Sequence, residues 1–241
     1  MNTERIEPAL LKWHNNEPFA ARYNDIYYSA DGHEEFQRVF LEPSALMQRD
    51  DLGDCLQVAE LGFGTGLNFV LCAQAVLENT QQRLHYIAFE AHPLAPADWH
   101  RLAEQRPLPL FQDLAKAAPP LLSGWHRRGF ADGRIQLSIY HGDALNGLRD
   151  LNARQQQPID AWFLDGFEPR KNPAMWEPEI FSAIAASSIS GTRACTFTAS
   201  GQVRRGLAEV GFEMRKVDQR PRKRESLAGV YTGKSQRVRP P

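Results

Sequence analysis

The sequence predicts an α/β fold built on a mostly parallel sheet, and three features carry that expectation. Beyond Cys55, short apolar runs alternate with stretches of helical periodicity. A glycine-rich turn, Glu60 to Gly66, joins the first apolar run to the first helical stretch. Acidic residues then recur at the ends of successive runs, at Glu90, Asp143 and Asp165. Those are the strand ends at which open α/β sheets bind ligands.

Taken in order, residues 1–50 are aromatic and irregular, with Phe19, Tyr23, Tyr27, Tyr28, Phe36 and Phe40. They read as a small N-terminal extension, a hairpin packed on a main body of residues 51–241. In that body CLQVAELG is expected to be a buried strand ending at Gly62, and LNFVLCAQAVLENT the helix after it. RLHYIAFE, IQLSIYHGD and IDAWFLDGF follow as the second, third and fourth strands, and EIFSAIAASS as a helix. RACTFTAS, the helix QVRRGLAEVGF and the strands EMRKVDQ and SLAGVYT complete the pattern, with the last strand antiparallel. Residues 101–134 carry Pro107, Pro109, Pro119 and Pro120 and are too long for a plain connection. They read as a helical insertion.

Composition bounds the function. The chain has 241 residues, 42% hydrophobic and 24% charged, which excludes a disordered or fibrous protein. Its net charge of −1 hides a division. From Val203 onwards there are 11 Lys and Arg against 4 Asp and Glu, a balance of +7, while the other 202 residues hold 17 against 25, a balance of −8. A basic end on an acidic body points to a polyanionic partner. The three cysteines, Cys55, Cys72 and Cys195, are widely spaced and odd in number, which argues for reduced thiols and against a disulfide framework. Neither they nor the seven histidines show metal-ligand spacing, so no metal is expected. No apolar run approaches the roughly 20 residues that span a bilayer. The opening MNTERIEPALLKWHNNEP has early acids and no long apolar core. A cytoplasmic protein is the expectation.

The strongest local signal is Glu60-Leu-Gly-Phe-Gly-Thr-Gly66 between a strand and a helix. Glycines let the chain turn sharply and approach a ligand, and the helix N-terminus adds free N–H donors. A dinucleotide fingerprint would need its last glycine at position 67, which is Leu67. The spacing is instead G-x-G-x-G, with an acid two residues ahead of it. A carboxylate at that strand end repels a pyrophosphate and attracts an ammonium. The pattern resembles the E/D-x-G-x-G-x-G turn of class I S-adenosylmethionine-dependent methyltransferases, with their Rossmann-like sheet. Glu90, closing the second strand, stands where a ribose diol is bound in nucleotide-binding sheets, and Asp143 is placed to accept from an adenine amino group. The cofactor set expected here is Glu60, Gly62, Phe63, Gly64, Thr65, Gly66, Asn68, Glu90, Asp143 and Ala144. A structural turn and solvated strand-end acids are the competing explanation. Three such features at successive strand ends outweigh it.

The fourth strand runs into Asp165-Gly-Phe-Glu-Pro-Arg-Lys-Asn-Pro-Ala-Met-Trp176. This loop offers a carboxylate (Asp165), aromatic faces (Phe167, Trp176) and an amide (Asn172), the candidate catalytic set. A flipped base would stack on the rings while the acid addresses the nucleophile. Packing into the core is the alternative role for both rings.

ELGFGTGLNF, DAWFLDGFEPRKNPAMW, CTFTASGQVRRGLAEVGF and RKRESLAG closely resemble the methyltransferase half of a bacterial bifunctional family that makes 5-methylaminomethyl-2-thiouridine at the tRNA wobble position. RYNDIYYSADGHEEFQRVFLEP resembles that family's opening, so the likeness covers nearly the whole chain. The family's FAPAKNP reads FEPRKNP here, adding Glu168 and Arg170, and its KREML reads KRESL, with Ser226. The resemblance implies methylation of a 5-aminomethyluridine amine by S-adenosylmethionine, with Asp165 orienting the amine. It also implies a tRNA anticodon stem-loop as partner and an FAD-dependent oxidase, fused or separate, in the same pathway. Arg204, Arg205, Arg220, Arg222, Lys223 and Arg224 are then candidates for phosphate contact, against the ordinary alternative of a solvated charged face. The competing functions are an aminopropyltransferase, a small-molecule methyltransferase and a non-catalytic RNA-binding protein.

Overall fold

We describe a computed structural model of the chain covering residues 5–14, 17–27, 32–106, 108–154, 157–220 and 225–233. Its centre is an eight-stranded sheet. The parallel strands are β4 (Cys55–Leu61), β5 (Arg83–Glu90), β7 (Ile135–His141), β8 (Ile159–Leu164) and β9 (Ser188–Thr196). β10 (Phe212–Asp218) and β11 (Glu225–Tyr231) form an antiparallel pair, and β11 inserts antiparallel beside β9, as expected of the last strand. The order is β10-β11-β9-β8-β4-β5-β7-β6, with β6 being Gly124–Phe130. Strand order therefore reverses between β4 and β8, and the crevice outside their carboxyl ends is where such a sheet binds ligands.

The central strands are buried on both faces, so they read as apolar runs rather than alternating ones. Period-2 geometry then sorts their side chains between two cores. Val58, Tyr86, Ala88, Ala161 and Phe163 pack on one face with α3 (Leu67–Asn79), α4 (Pro96–Gln105) and α5 (Pro109–Lys116). Ala59, Ile87, Phe89, Trp162 and Leu164 pack on the other with α6 (Ala144–Arg154), α7 (Pro178–Ala186) and α8 (Gly201–Glu209). Trp162 is fully buried, its indole donating to Ser188 Oγ at 3.1 Å.

A small antiparallel sheet is built by β1 (Leu11–His14), β2 (Glu17–Ala20) and β3 (Asp25–Ile26). A continuous helical stretch follows: α1 (Gly32–Phe36), a π-helical turn (Gln37–Leu41) and α2 (Glu42–Ser44). It places Phe36 and Phe40 against Phe163. The segment 101–134 is not purely helical. After the end of α4 and α5 it forms β6, which pairs antiparallel with β7 at the sheet edge. GWHRRGF carries no apolar pattern because at this edge only Phe130 of the strand is buried, and its arginines discourage pairing with another chain. Among the described residues no helix is long and apolar enough to cross a membrane.

Candidate active site

A cavity of about 490 Å³ opens at the carboxyl ends of β4, β5 and β8, within the ~300–1,000 Å³ usual for small-molecule sites. Its floor is the turn from Gly62 to Asn68. Gly62 is held at φ +87°, and a Cβ there would lie 2.6 Å from the carbonyl oxygen of Asp165. Only glycine permits that contact, which joins the turn after β4 to the loop after β8. The Asp165 N–H returns a hydrogen bond to Leu61 O at 3.0 Å. Gly64, at φ +53°, would drive a Cβ to 2.8 Å from the Tyr27 ring. Gly66, also at positive φ, is the N-cap of α3 and lies outside the cavity lining.

The expected acids take different places. Glu90 accepts from the backbone N–H of Gly64 (2.8 Å) and of His92 (2.8 Å), one to each oxygen. It thereby fixes the glycine turn, and each oxygen keeps a lone pair for a ligand hydroxyl. Burial raises its pKa while these backbone N–H groups oppose the rise. Asp143 is exposed, lines the cavity beside Ala144, and caps α6 by accepting from Asn146 N–H at 2.9 Å. Glu60 does not face the cavity as the sequence suggested. It is 1% exposed, set behind Asn68, because position 60 shares with Val58 the strand face that packs towards α3. Asn68 Nδ2 donates both to Glu60 Oε1 (2.8 Å) and to Asp165 Oδ2 (2.6 Å). Burial, and secondarily the Asp165 charge, push the Glu60 carboxyl well above the usual range.

Asp165, Phe167 and Asn172 all line the cavity. Trp176 does not. It is 3% exposed, packed edge-on against Phe197, with its indole donating to Phe167 O at 3.0 Å. It shapes the loop and offers no stacking face, since the Pro173–Trp176 turn rolls the ring inward. One face of Phe167 is covered by Tyr23, stacked at 4.3 Å and 25°, with Tyr27 edge-on at 5.4 Å. Lys171 ties the same loop to the extension through Asp25 (3.2 Å) and Asn24 O (3.1 Å). Sequence reasoning noted Tyr23 and Tyr27 as aromatic but missed their place in the site. No local pattern tells that the extension folds over the strand ends. Lys171→Met should change stability by no more than about 1 kcal/mol, as half-exposed ion pairs do, yet loosen this strap. Faster proteolytic cleavage within residues 17–27 is the measurement.

Of the basic candidates, Arg204 and Arg205 are exposed on α8, which begins just after the carboxyl end of β9. Arg220 is not a free cation: it pairs with Asp218, whose carboxyl it holds down at about 2. Arg222, Lys223 and Arg224 lie outside the described residues. Among the described residues no group of three or more His, Cys, Asp or Glu side chains is placed to hold a metal.

The strand order, the glycine turn at the switch point and acids at three successive strand ends define the architecture of a class I S-adenosylmethionine-dependent methyltransferase. A profile of S-adenosyl-L-methionine-dependent methyltransferases matches residues 108–232, slightly more than half of the chain. The chain belongs to that family. It is similar to the tRNA 5-methylaminomethyl-2-thiouridine biosynthesis bifunctional protein MnmC of Methylobacillus flagellatus, at 40% identity over 96% of this chain and 36% of that protein. The like-named protein of Stutzerimonas stutzeri is 43% identical over 94% of this chain and 35% of its own length. The chain thus spans about a third of the curated relatives it matches. In fold it resembles the crystal structure of MNMC2 from Aquifex aeolicus, with a TM-score of 0.72 at 21% identity, covering 100% of this chain and 72% of that one.

Proposed function

We propose that the protein methylates the primary amine of 5-aminomethyl-2-thiouridine at the wobble position of tRNA, giving 5-methylaminomethyl-2-thiouridine. The observation that carries this reading is a carboxylate, Asp165, at the switch-point cavity of a chain about 40% identical to relatives named for that product.

The residues present suit the cofactor. A glycine cradle that a Cβ would fill, the N-terminus of the 13-residue α3 and the free lone pairs of Glu90 match a nucleoside bearing an amino acid arm. The turn from Gly62 to Leu67 would hold that arm, Glu90 the ribose hydroxyls and Asp143 the adenine amino group. When bound, S-adenosylmethionine supplies an electrophilic methyl group on a sulfonium. Asp165 does the remaining work by accepting a hydrogen bond from the substrate amine. An alkylammonium has no lone pair, so the amine must lose a proton before it can attack, and a carboxylate at this point both aims it and receives that proton. Orientation alone supplies roughly 7–11 kcal/mol of such a barrier, so Asp165 need not be a strong base. Phe167, with Tyr23 beside it, is the proposed platform for the uracil ring.

Arg204 and Arg205 are the proposed phosphate contacts of the anticodon stem, and Arg222, Lys223 and Arg224 extend them. Each contact contributes about 0.7–0.9 to the slope of log K against log salt. Arg204→Ala with Arg205→Ala should therefore lower the slope by about 1.4–1.8. An unchanged slope in a tRNA-binding titration would reject the assignment. The working partner is an FAD-dependent oxidase acting on the same nucleoside, in the same polypeptide or apart, and the setting is the cytoplasm. An acceptor panel tests the whole reading: labelled S-adenosylmethionine should mark tRNA carrying 5-aminomethyl-2-thiouridine and leave polyamines and free amines unlabelled. Label in the small amines instead would favour a small-molecule methyltransferase.

A further inference from the structure

Asn68 has one amide NH2 group, and it carries two hydrogens. One bond goes to Glu60 Oε1 at 2.8 Å and the other to Asp165 Oδ2 at 2.6 Å. No donor on this side chain is left for a cofactor, although Asn68 sits on the glycine turn where a cofactor contact was expected. The amide is 8% exposed and Glu60 1%, so water screens neither bond well. Glu60 Oε2 is buried with no hydrogen-bond partner of normal geometry. An ionised carboxylate would be costly there, whereas a protonated oxygen is tolerable.

We propose that Asn68 is a positioning residue for methyl transfer, acting through Asp165 and not on the cofactor, and that it joins Asp165 and Glu60 into one unit carrying a single negative charge at the cavity floor. The chemistry rests on the amine methylation proposed above; the charge sharing does not. The remaining titratable groups around Glu60 are Tyr86 and Glu90 from β5 and Cys72 from α3. Burial and the neighbouring Asp165 charge favour protonated Glu60, while the Asn68 amide and the Tyr86 hydroxyl favour its ionised form. The negative charge therefore resides on Asp165, the less buried partner, with Asn68 fixing which oxygen faces the cavity.

Two variants and one substrate-free measurement decide. Carbon-13 carboxyl NMR follows the pair in the full chain, read as macroscopic steps of a coupled site. Asn68→Leu removes one hydrogen bond from each carboxyl group, bonds that favour the ionised forms, so the steps should move to higher pH. Its turnover should fall about 10–100-fold, by analogy with loss of an outer hydrogen-bond partner of a metal ligand, with S-adenosylhomocysteine affinity retained. Asn68→Asp keeps the shape but adds a carboxylate and should turn over no better. Unmoved steps, or affinity and turnover falling together, would overturn the proposal. Should Asn68→Leu fail to fold, Asp165→Asn reads the same coupling: the Glu60 step should drop in pH, and an unchanged step refutes the shared charge. A wild-type chain that leaves aminomethyl-tRNA untouched would defeat the function proposed above while leaving these titrations readable.

Discussion

Asp165→Asn should lower the turnover of methyl transfer by about 10²–10⁴-fold, the range in which a positioned acid–base group contributes, while S-adenosylhomocysteine binds nearly as before. The substitution preserves shape and the backbone bond to Leu61 O, so the cavity floor stays in place. What is lost is the acceptor for the amine and for its proton. An interaction made mainly in the transition state lowers kcat and kcat/KM together and spares ground-state binding. Equal loss of turnover and cofactor affinity would instead make Asp165 a cofactor ligand. Stability supplies an independent readout with a definite sign. Glu60 is held above the ordinary carboxylate range by burial and by Asp165. The folded chain therefore binds that proton more tightly than the unfolded chain, and stability falls as pH rises from the unfolded value through the folded one. Removing the Asp165 charge relieves part of this, so thermal unfolding at pH 8 should occur no lower in Asp165→Asn than in the wild type.

Gly62→Ala should be the most damaging small substitution in the site. The residue sits at φ +87°, and its new Cβ would meet backbone atoms of the Asp165–Gly166 segment at 2.6, 3.2 and 3.3 Å. None is the far end of a flexible side chain. The left-handed conformation costs about 1–2 kcal/mol for a residue with a Cβ, and overpacking about 1–3 kcal/mol more. For a domain of this size that lowers Tm by roughly 5–20 °C. Any survivor should bind S-adenosylhomocysteine poorly, because relieving the clash separates the glycine turn from the Asp165 loop. Gly129→Ala is the control, with an ordinary φ and nothing within 4 Å of its Cβ. Equal melting of the two variants would show that the close approach at Gly62 is not required.

Much of this was legible in the sequence, and the physical reasons are local. β4, β5, β7 and β8 announce themselves because strands buried on both faces must be apolar throughout. The glycine turn and the acids at 90, 143 and 165 were legible because their spacing follows directly from the strand ends. What was missed depends on how distant segments meet. β6 has the composition of an edge, not of a core. α6 buries only Gly147, Leu148 and Leu151, too few to mark a helix in a polar stretch. Trp176 looked like a stacking surface because sequence does not tell which way a ring turns, and Glu60 looked like a cofactor contact until Asn68 was found in front of it. The strap of Tyr23, Asp25 and Tyr27 over the loop at Phe167 and Lys171 joins residues some 145 positions apart, which no short-range pattern encodes.

The most direct test of the central claim is the chemical identity of the product. tRNA carrying 5-aminomethyl-2-thiouridine, incubated with the protein and methyl-labelled S-adenosylmethionine and then digested to nucleosides, should yield 5-methylaminomethyl-2-thiouridine with the label on the amine nitrogen. The yield should fall away in Asp165→Asn. Label on a base carbon, a ribose oxygen or a different nucleoside, or tRNA left unlabelled by a folded protein that binds S-adenosylhomocysteine, would contradict the account.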